Sequence, residues 1–467
     1  MNVSLRHALK PVLALLIGTS LLYVGFGLQT TLVPLRAEAE GFGRFALGLL
    51  GASYYLGFVA GCVLAPYVIL RAGHIRAFAA MVSTGSAAAV AFPLLIEPLF
   101  WDLCRIVIGF CVSGILIIVE SWLNERATNV TRGIVMSAYI VLTYAMMTVG
   151  QLLVITYPLG DFALFTIASI LFSLAAVPVA LTRSTQPAPI AVVHFRPWRL
   201  ISIAPAAFGA ALAIGLIQGA FWALGPAFAT GRGFSTSDAA VFMSVAVVGG
   251  ALGQWPFGRF SDFVDRRKVL VAAMLGAAVA GILLWQLASL SVAAILIMGF
   301  LFGAFTLPAY SLAVAHAFDW AEPDDMVETS ASIIALYGVG SIVGPLIAPV
   351  FMQELGGDAL FLYTALVSLG LVGFVAVRIL RRPAPSPDDK SDFDIYSTAP
   401  VGGAITPDAI AAEMPMVEVP QDGPVGADVQ DTADVPTAGT PDGAGRAAGE
   451  ASAAAAPDAV IAPERER

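Results

Sequence analysis

Gly253-Gln254-Trp255-Pro256-Phe257-Gly258-Arg259-Phe260-Ser261-Asp262-Phe263-Val264-Asp265-Arg266-Arg267 ends one apolar run and, with Lys268, opens another. The flanking runs, 238 to 260 and 269 to 288, are each long enough to cross about 30 Å of hydrocarbon as a helix. Between them stands a short, charged joint. Gly258 allows two helix ends to pack closely, and Asp262 is an acid able to face a neighbouring helix N-terminus or an arginine. A positive-inside topology signal alone would explain Arg266, Arg267 and Lys268, but not Asp262 at its spacing, so a structured joint is the preferred reading.

The rest of the chain repeats this layout. Of 467 residues, 58% are hydrophobic and 12% charged, about half the charged share of an ordinary soluble domain. Twelve apolar runs span 11–34, 46–69, 77–96, 99–123, 133–156, 161–182, 202–229, 238–260, 269–288, 292–317, 329–352 and 358–379. The expected fold is an all-α integral membrane protein of twelve transmembrane helices in two pseudo-symmetric six-helix bundles. The bundles are residues 1–182 and 202–382, joined by a central cytoplasmic loop, 183–201. From 383 to 467 the composition turns to Pro, Gly, Ala, Asp and Glu with net charge −12, against +3 for the body, and a disordered acidic cytoplasmic tail is expected. The chain's pI near 5 thus reports the tail, and nucleic-acid binding has no support.

Cys62, Cys104 and Cys111 lie inside apolar runs and no Cys/His cluster has metal-ligand spacing, so neither a disulfide framework, a metal site nor a cofactor is expected. Arg6 and Lys10 precede an apolar run that continues to Leu35, which reads as a retained first span rather than a signal peptide. With both termini inside, sixteen Lys and Arg flank the spans on the inner side and only Arg36, Arg44 and Arg232 on the outer, which predicts cytoplasmic termini in a plasma (inner) membrane protein. Sliding the sequence by 192 aligns Gly27 with Gly219, Pro34 with Pro226, Gly41 with Gly233 and Gly57 with Gly249. Two halves repeated in the same orientation imply an axis along the membrane normal and a site between them near the midplane.

The quoted joint resembles the loop signature of the major facilitator superfamily: Gly, three residues, Asp-Arg, one residue, Gly and two basic residues. Gly258, Asp262, Arg266 and Arg267 match it; Phe263 and Asp265 replace the usual Arg and Gly. The first-half copy keeps Arg71, Gly73, His74 and Arg76 but has Leu70 in place of Asp. Arg105, Gly109 and Gly114 are similar to the family's helix 4 pattern, and Gly340, Gly344 and Pro345 to its helix 5 pattern, here at the symmetry-related helix 11. With Thr31 to Leu35, Val119 to Asn124 and Gly150 to Leu153, residues 1–382 resemble the YcaD-type branch. The resemblance implies a twelve-helix secondary transporter in the plasma membrane, with no substrate to carry over.

Ionisable residues within spans are costly and become site candidates. Arg105 sits about two turns from the outer end of its helix, where a buried guanidinium suits an anionic substrate or a carboxylate partner; a snorkelling Arg is the plainer alternative. Glu120, about 22 Å further along, marks the cytoplasmic helix end beside an interfacial Trp122, or carries protons. Gln29, Gln151, Gln218 and Trp222 are expected to line the cavity, although polar residues bonding across helices are commoner; His316 near Asp319 is read as support for a helix terminus. Arg71, Gly73, His74, Arg76, Gly258, Arg259, Asp262, Arg266, Arg267, Asp324, Asp325 and Glu328 form the expected conformational-switch loops, with the basic loop after helix 2 meeting the acidic loop after helix 10 to hold the outward-facing state closed inside.

The expected function is secondary active transport of a small solute by alternating access, coupled to an ion gradient. Protons are the coupling candidates, the lipid bilayer is the medium, and a monomer is expected. No Gly-x-x-x-x-Gly-Lys-Ser/Thr loop suggests use of ATP. A transporter-like membrane sensor without turnover is the alternative. A membrane-embedded enzyme is disfavoured by only four His, at 7, 74, 194 and 316, and no His-Asp or His-Glu motif.

Overall fold

A computed structural model describes residues 9–128, 131–181, 196–286, 291–322 and 325–382. The expected tail 383–467, the expected loop up to residue 195 and Asp324 lie outside the described residues. Among the described residues twelve helices are long and apolar enough to cross a membrane. They are α1 Lys10–Ala39, α2 Arg44–Ala72, α3 His74–Leu94, α4 Pro98–Arg126, α5 Arg132–Thr156 and α6 Ala163–Ala180, then α7 Pro205–Gly231, α8 Thr236–Phe263, α9 Arg266–Gln286, α10 Val292–Phe318, α11 Glu328–Leu355 and α12 Ala359–Arg381. Several run past the apolar stretches that predict them: α1 continues to Ala39 through Pro34 and Arg36, because hydropathy marks the hydrocarbon segment and not the helix end.

The expected central loop 183–201 is helical over Pro197–Ile203, a short segment started by proline in its first turn. Leu200 anchors it against Ala204, Ala207 and Ala211 at the start of α7 and Ile333 of α11.

The two halves use the same pairings. In the first, α1 packs on α5 and α6, α2 on α4, and α3 on α4 and α6; in the second, α7 packs on α11 and α12, α8 on α10, and α9 on α10 and α12. Residues 192 apart do the same work in each. Gly41 and Gly233 turn the chain between spans at φ of +80° and +79°, a backbone region open to glycine at little cost. A Cβ on Gly27 would stand 2.2 Å from the Met147 carbonyl oxygen of α5, and one on Gly219 would stand 2.5 Å from that of Ser341 on α11. Small residues drive membrane helix packing because lipid removes the hydrophobic incentive and leaves close contact to do it.

Between the bundles, α2 packs on α7 and α11, α1 on α7, and α5 on α8. Tight approaches cluster at the end that carries residues 36–51, with one more in mid-span, where a Cβ on Gly338 would stand 2.3 Å from Val59 Cγ2. A Cβ on Gly48 would reach within 2.1 Å of the Pro345 carbonyl oxygen, and one on Gly51 within 2.3 Å of the Ala223 Cβ. Arg44 donates from Nη1 to the Met352 carbonyl, and the Thr230 hydroxyl donates to the Glu38 carboxylate. At the opposite end the ion pairs Arg266–Asp319, Arg267–Asp265 and Arg199–Asp325 all join residues that follow the first bundle.

Candidate functional site

A cavity of about 200 Å³ opens where the bundles face each other. Its wall comes from α1, α2, α4 and α5 on one side and α7, α8, α10 and α11 on the other, while α3, α6, α9 and α12 contribute none of it. The wall is mostly aromatic and apolar, and Arg105 is the charged side chain in it.

Arg105 is held by α4, whose first turn starts at Pro98 and is pinned by the Trp101 indole N–H, 3.0 Å from the carbonyls of both Phe92 and Leu95. The guanidinium is buried with its Cζ 4.6 Å from the centre of the Tyr54 ring. Nε donates to the Leu50 carbonyl at 3.3 Å, and Nη1 has no hydrogen-bond partner. The carboxylate one turn earlier is engaged elsewhere: Asp102 Oδ1 accepts from Ser53 Oγ at 3.1 Å. The head is buried where a snorkelling arginine's would be solvated, while the structural alternative keeps its footing in the bond to Leu50.

On the facing side, Gln218 is fixed at both ends of its amide. Nε2 donates to the Thr306 carbonyl at 2.8 Å and Oε1 accepts from Tyr337 Oη at 2.9 Å. Gln254 crosses between the bundles, with Nε2 3.2 Å from Tyr144 Oη and 3.5 Å from Ser311 Oγ; its Oε1 is buried without a partner. The Tyr337 ring stands 5.0 Å from that of Tyr310 and, across the bundles, 6.5 Å from that of Tyr55.

The structure thus brings Arg105, Gln218 and Trp222 together around the cavity. Gln29 and Gln151 are fully buried in α1 and α5 and stand outside the wall. Glu120 is also fully buried outside it, with Oε1 accepting from Tyr139 Oη at 2.8 Å. Trp122 beside it is buried, which corrects its reading as an interfacial anchor: α4 continues to Arg126, so Glu120 and Trp122 stand inside the bundle. Sequence reasoning missed the tyrosines. Their signal was position: Tyr144, Tyr310 and Tyr337 fall well inside their spans, whereas aromatic anchors belong at span ends.

The switch loops are more structured than a topology signal requires. Gly73, at φ +80°, is the single residue between α2 and α3, with Arg71 and Arg76 exposed beside it and His74 buried. Gly258 is buried, Asp262 half-buried, and Arg259 lies with its Cζ 4.9 Å from the Phe263 ring centre. Arg266 Nε meets Asp319 Oδ2 at 3.0 Å, both side chains buried. Arg267 donates from Nη2 to Asp265 Oδ2 at 2.8 Å and from Nη1 to the Arg382 carbonyl at 2.8 Å, tying the α8–α9 joint to the end of α12. Burial pushes the Asp265 carboxyl up, but the hydrogen bonds and charge of Arg267 more than offset it and hold the group below the usual carboxylate range. Asp325 accepts from Arg199 Nη1 at 2.7 Å, and Glu328 lies 3.5 Å from Arg196 Nε, so these acids face the Pro197–Ile203 segment rather than Arg71 and Arg76. His316 lines a small pocket with Arg267, Trp320 and Arg382.

No cluster of three or more metal-ligating side chains occurs among the described residues. Residues 207–408 match the family model described as Major Facilitator Superfamily. The chain is 29% identical over 361 residues to the uncharacterized MFS-type transporter YcaD of Escherichia coli O17:K52:H18 (strain UMN026 / ExPEC), covering 77% of this chain and 93% of that one. It is equally similar, 29% over 367 residues, to YcaD of Shigella flexneri, with the same coverage. Among solved structures it resembles the nucleoside transporter NupG, with TM-score 0.64 and 15% identity over 79% of this chain and 98% of that one. It also resembles a bacterial homolog of the human lysosomal transporter Spinster in an inward-facing, occupied conformation, with TM-score 0.63 and 15% identity over 81% and 97%. At these identities the structural likeness speaks for the fold alone.

Proposed function

We propose that the chain, whose residues 207–408 match the major facilitator model and which is 29% identical to MFS-type relatives, is a member of that superfamily and a secondary active transporter that moves a small solute by rocking its two bundles about the central cavity. The observation that carries this reading is a cavity walled by both bundles, tightly closed at one end by contacts between them and holding a buried guanidinium. On this reading, with the basic ends of the spans in the cytoplasm, the closed end faces outward, as an inward-facing state requires. Both termini then lie inside, in the plasma membrane. The coupling ion is the proton, with Glu120, hydrogen-bonded to Tyr139 within the first bundle, as the carboxylate that carries it.

Alternating access is tested without knowing the solute. Spin labels at Ala39→Cys and Gln353→Cys report the outer ends of α1 and α11, and labels at Leu70→Cys and Arg259→Cys the inner ends of α2 and α8, all exposed. In lipid nanodiscs at varied pH, the outer distance is expected to lengthen as the inner one shortens. A single, unchanging pair of distances under every condition would remove alternating access, and ligand binding without counterflow in proteoliposomes would favour the sensor.

A further inference from the structure

The cavity wall carries an unmet charge, and it defines the ligand. From the wall's chemistry we infer that the solute is a small organic monoanion with a flat, single-ring apolar body, its anionic group on Arg105 and a second polar group at Gln254. This rests on the reading of the cavity as the transport site.

Arg105 is 7% exposed, and Nη1 has no hydrogen-bond partner, although a buried guanidinium without its donors satisfied is costly. The carboxylate nearest in sequence, Asp102, accepts from Ser53 and attracts Arg105 only through space, without an ion pair, and no carboxylate is in the cavity wall. A single fixed cation calls for a single negative charge; a dianion would leave one charge in a low-dielectric wall without compensation. The aromatic wall by itself would suit a cation. Arg105 reverses that preference, because it already occupies the face of Tyr54 and repels a second positive charge.

Size sets the body. A 150 Å³ apolar cavity holds a benzene ring, and about 200 Å³ leaves room for one ring with its substituents. Tyr55, Tyr310, Tyr337 and Trp222 supply faces and edges for it. At Gln254, which belongs to the other bundle, one end of the amide is buried and unsatisfied while the other is held by Tyr144 and Ser311. A ligand hydroxyl there completes the amide, so one small molecule touches both bundles.

Binding of three isosteric probes to the purified full-length chain in nanodiscs tests the class: 4-hydroxybenzoate, 4-hydroxybenzamide and 4-hydroxybenzylammonium, by calorimetry. The anion is expected to bind and the neutral amide roughly ten- to hundredfold more weakly, with no detectable binding of the ammonium. Arg105→Gln should bring anion and amide to equal affinity, and Arg105→Lys should keep part of the preference; thermal unfolding without ligand checks that each variant is folded. Equal binding of anion and amide by the wild type, preference for the ammonium, or no binding of any single-ring carboxylate or sulfonate overturns the proposal. Counterflow of radiolabelled 4-hydroxybenzoate in proteoliposomes separates the two readings. Selective binding without counterflow upholds the anion site and sinks transport; counterflow insensitive to Arg105→Gln upholds transport and sinks the anion site.

Discussion

Glu38 and Thr230 occupy the same position in the two repeats, 192 residues apart, and are bonded to each other, the Thr230 hydroxyl donating to the Glu38 carboxylate. Residues exchanged by a twofold axis meet only where that axis passes. The pair therefore places the pseudo-symmetry axis between the C-terminal ends of α1 and α7, at an end where the bundles are in close contact.

This bond is expected to hold the closed outer end. Thr230 has one hydroxyl proton and two fallback acceptors on its own helix, the Pro226 and Ala227 carbonyls at 3.3 and 3.2 Å. Glu38→Ala therefore leaves no stranded donor on Thr230 and should cost the charge-assisted bond, about 1 to 2 kcal/mol, together with the attraction of Glu38 to Arg44. Distances between labels at Ala39 and Gln353 should show the outer-open population rising about fivefold or more, with Glu38→Gln intermediate. Thr230→Ala should give a smaller rise than Glu38→Ala, since it leaves the attraction between Glu38 and Arg44, and the double variant should add nothing to Glu38→Ala.

The two classes of tight glycine should separate gating from folding. A Cβ at Gly51 strikes Ala223 of the opposite bundle, whereas one at Gly57 stands 2.0 Å from the Ile106 carbonyl oxygen within its own bundle. Gly51→Val is expected to wedge the outer end open while leaving the melting temperature within a few degrees of wild type. Gly57→Val should lower thermal stability by about 1 to 3 kcal/mol, the usual cost of overpacking, and reduce the yield of folded protein. Equal melting temperatures for the two variants would contradict the assignment.

Arg267 gives a pH-dependent contribution whose sign is fixed. Asp265 is held below the usual carboxylate range, so its bond to Arg267 stabilises the fold above the unfolded Asp value, about 3.9. That contribution is lost as pH falls through the lower folded value. Arg267→Gln should therefore melt well below wild type at pH 7, and the gap should narrow as pH is lowered toward 3. A residual gap is expected, because Arg267 also donates to the Arg382 carbonyl, which does not titrate. A gap independent of pH would mean that this backbone bond carries the whole effect.

What the sequence could reveal was whatever leaves a one-dimensional trace. Span lengths and the matched Gly41 and Gly233 are compositional or periodic, and they were enough for the twelve-helix repeat. Arg105 was visible because a charge in an apolar run is rare. Gln29 and Gln218 look alike on paper, each a lone amide within a span, yet Gln29 is buried away from the cavity and Gln218 lines it. The difference lies in which helix faces the other bundle, and the rotational setting of helices that are apolar all round leaves no period to read. For the same reason nothing in the sequence separates Glu120 and Trp122 from a helix end, although α4 is buried on every side at that level.

The inner loops provide the last test. The acids expected to meet Arg71 and Arg76 in the outward-facing state are here bonded at the Pro197–Ile203 segment, Asp325 to Arg199 and Glu328 to Arg196. Arg71 and Arg76 are exposed at the inner end of the first bundle. If rocking brings that end against α11, Asp325 and Glu328 face a choice of basic partners, and Arg199 holds them for the inward-facing state. Exposed pairs are worth about 0 to 1 kcal/mol each, but Arg199 spans both Asp325 oxygens, which strengthens the pair. Arg199→Ala should then enlarge the inner-closed population by up to about fivefold, read from labels at Leu70 and Arg259. Reversing Arg71 and Arg76 to Glu should reduce the same population, and combining the two changes should cancel the gain. If Arg199→Ala leaves the inner distances unmoved, the pair is a fixed clasp on α11 and the acids never change partners.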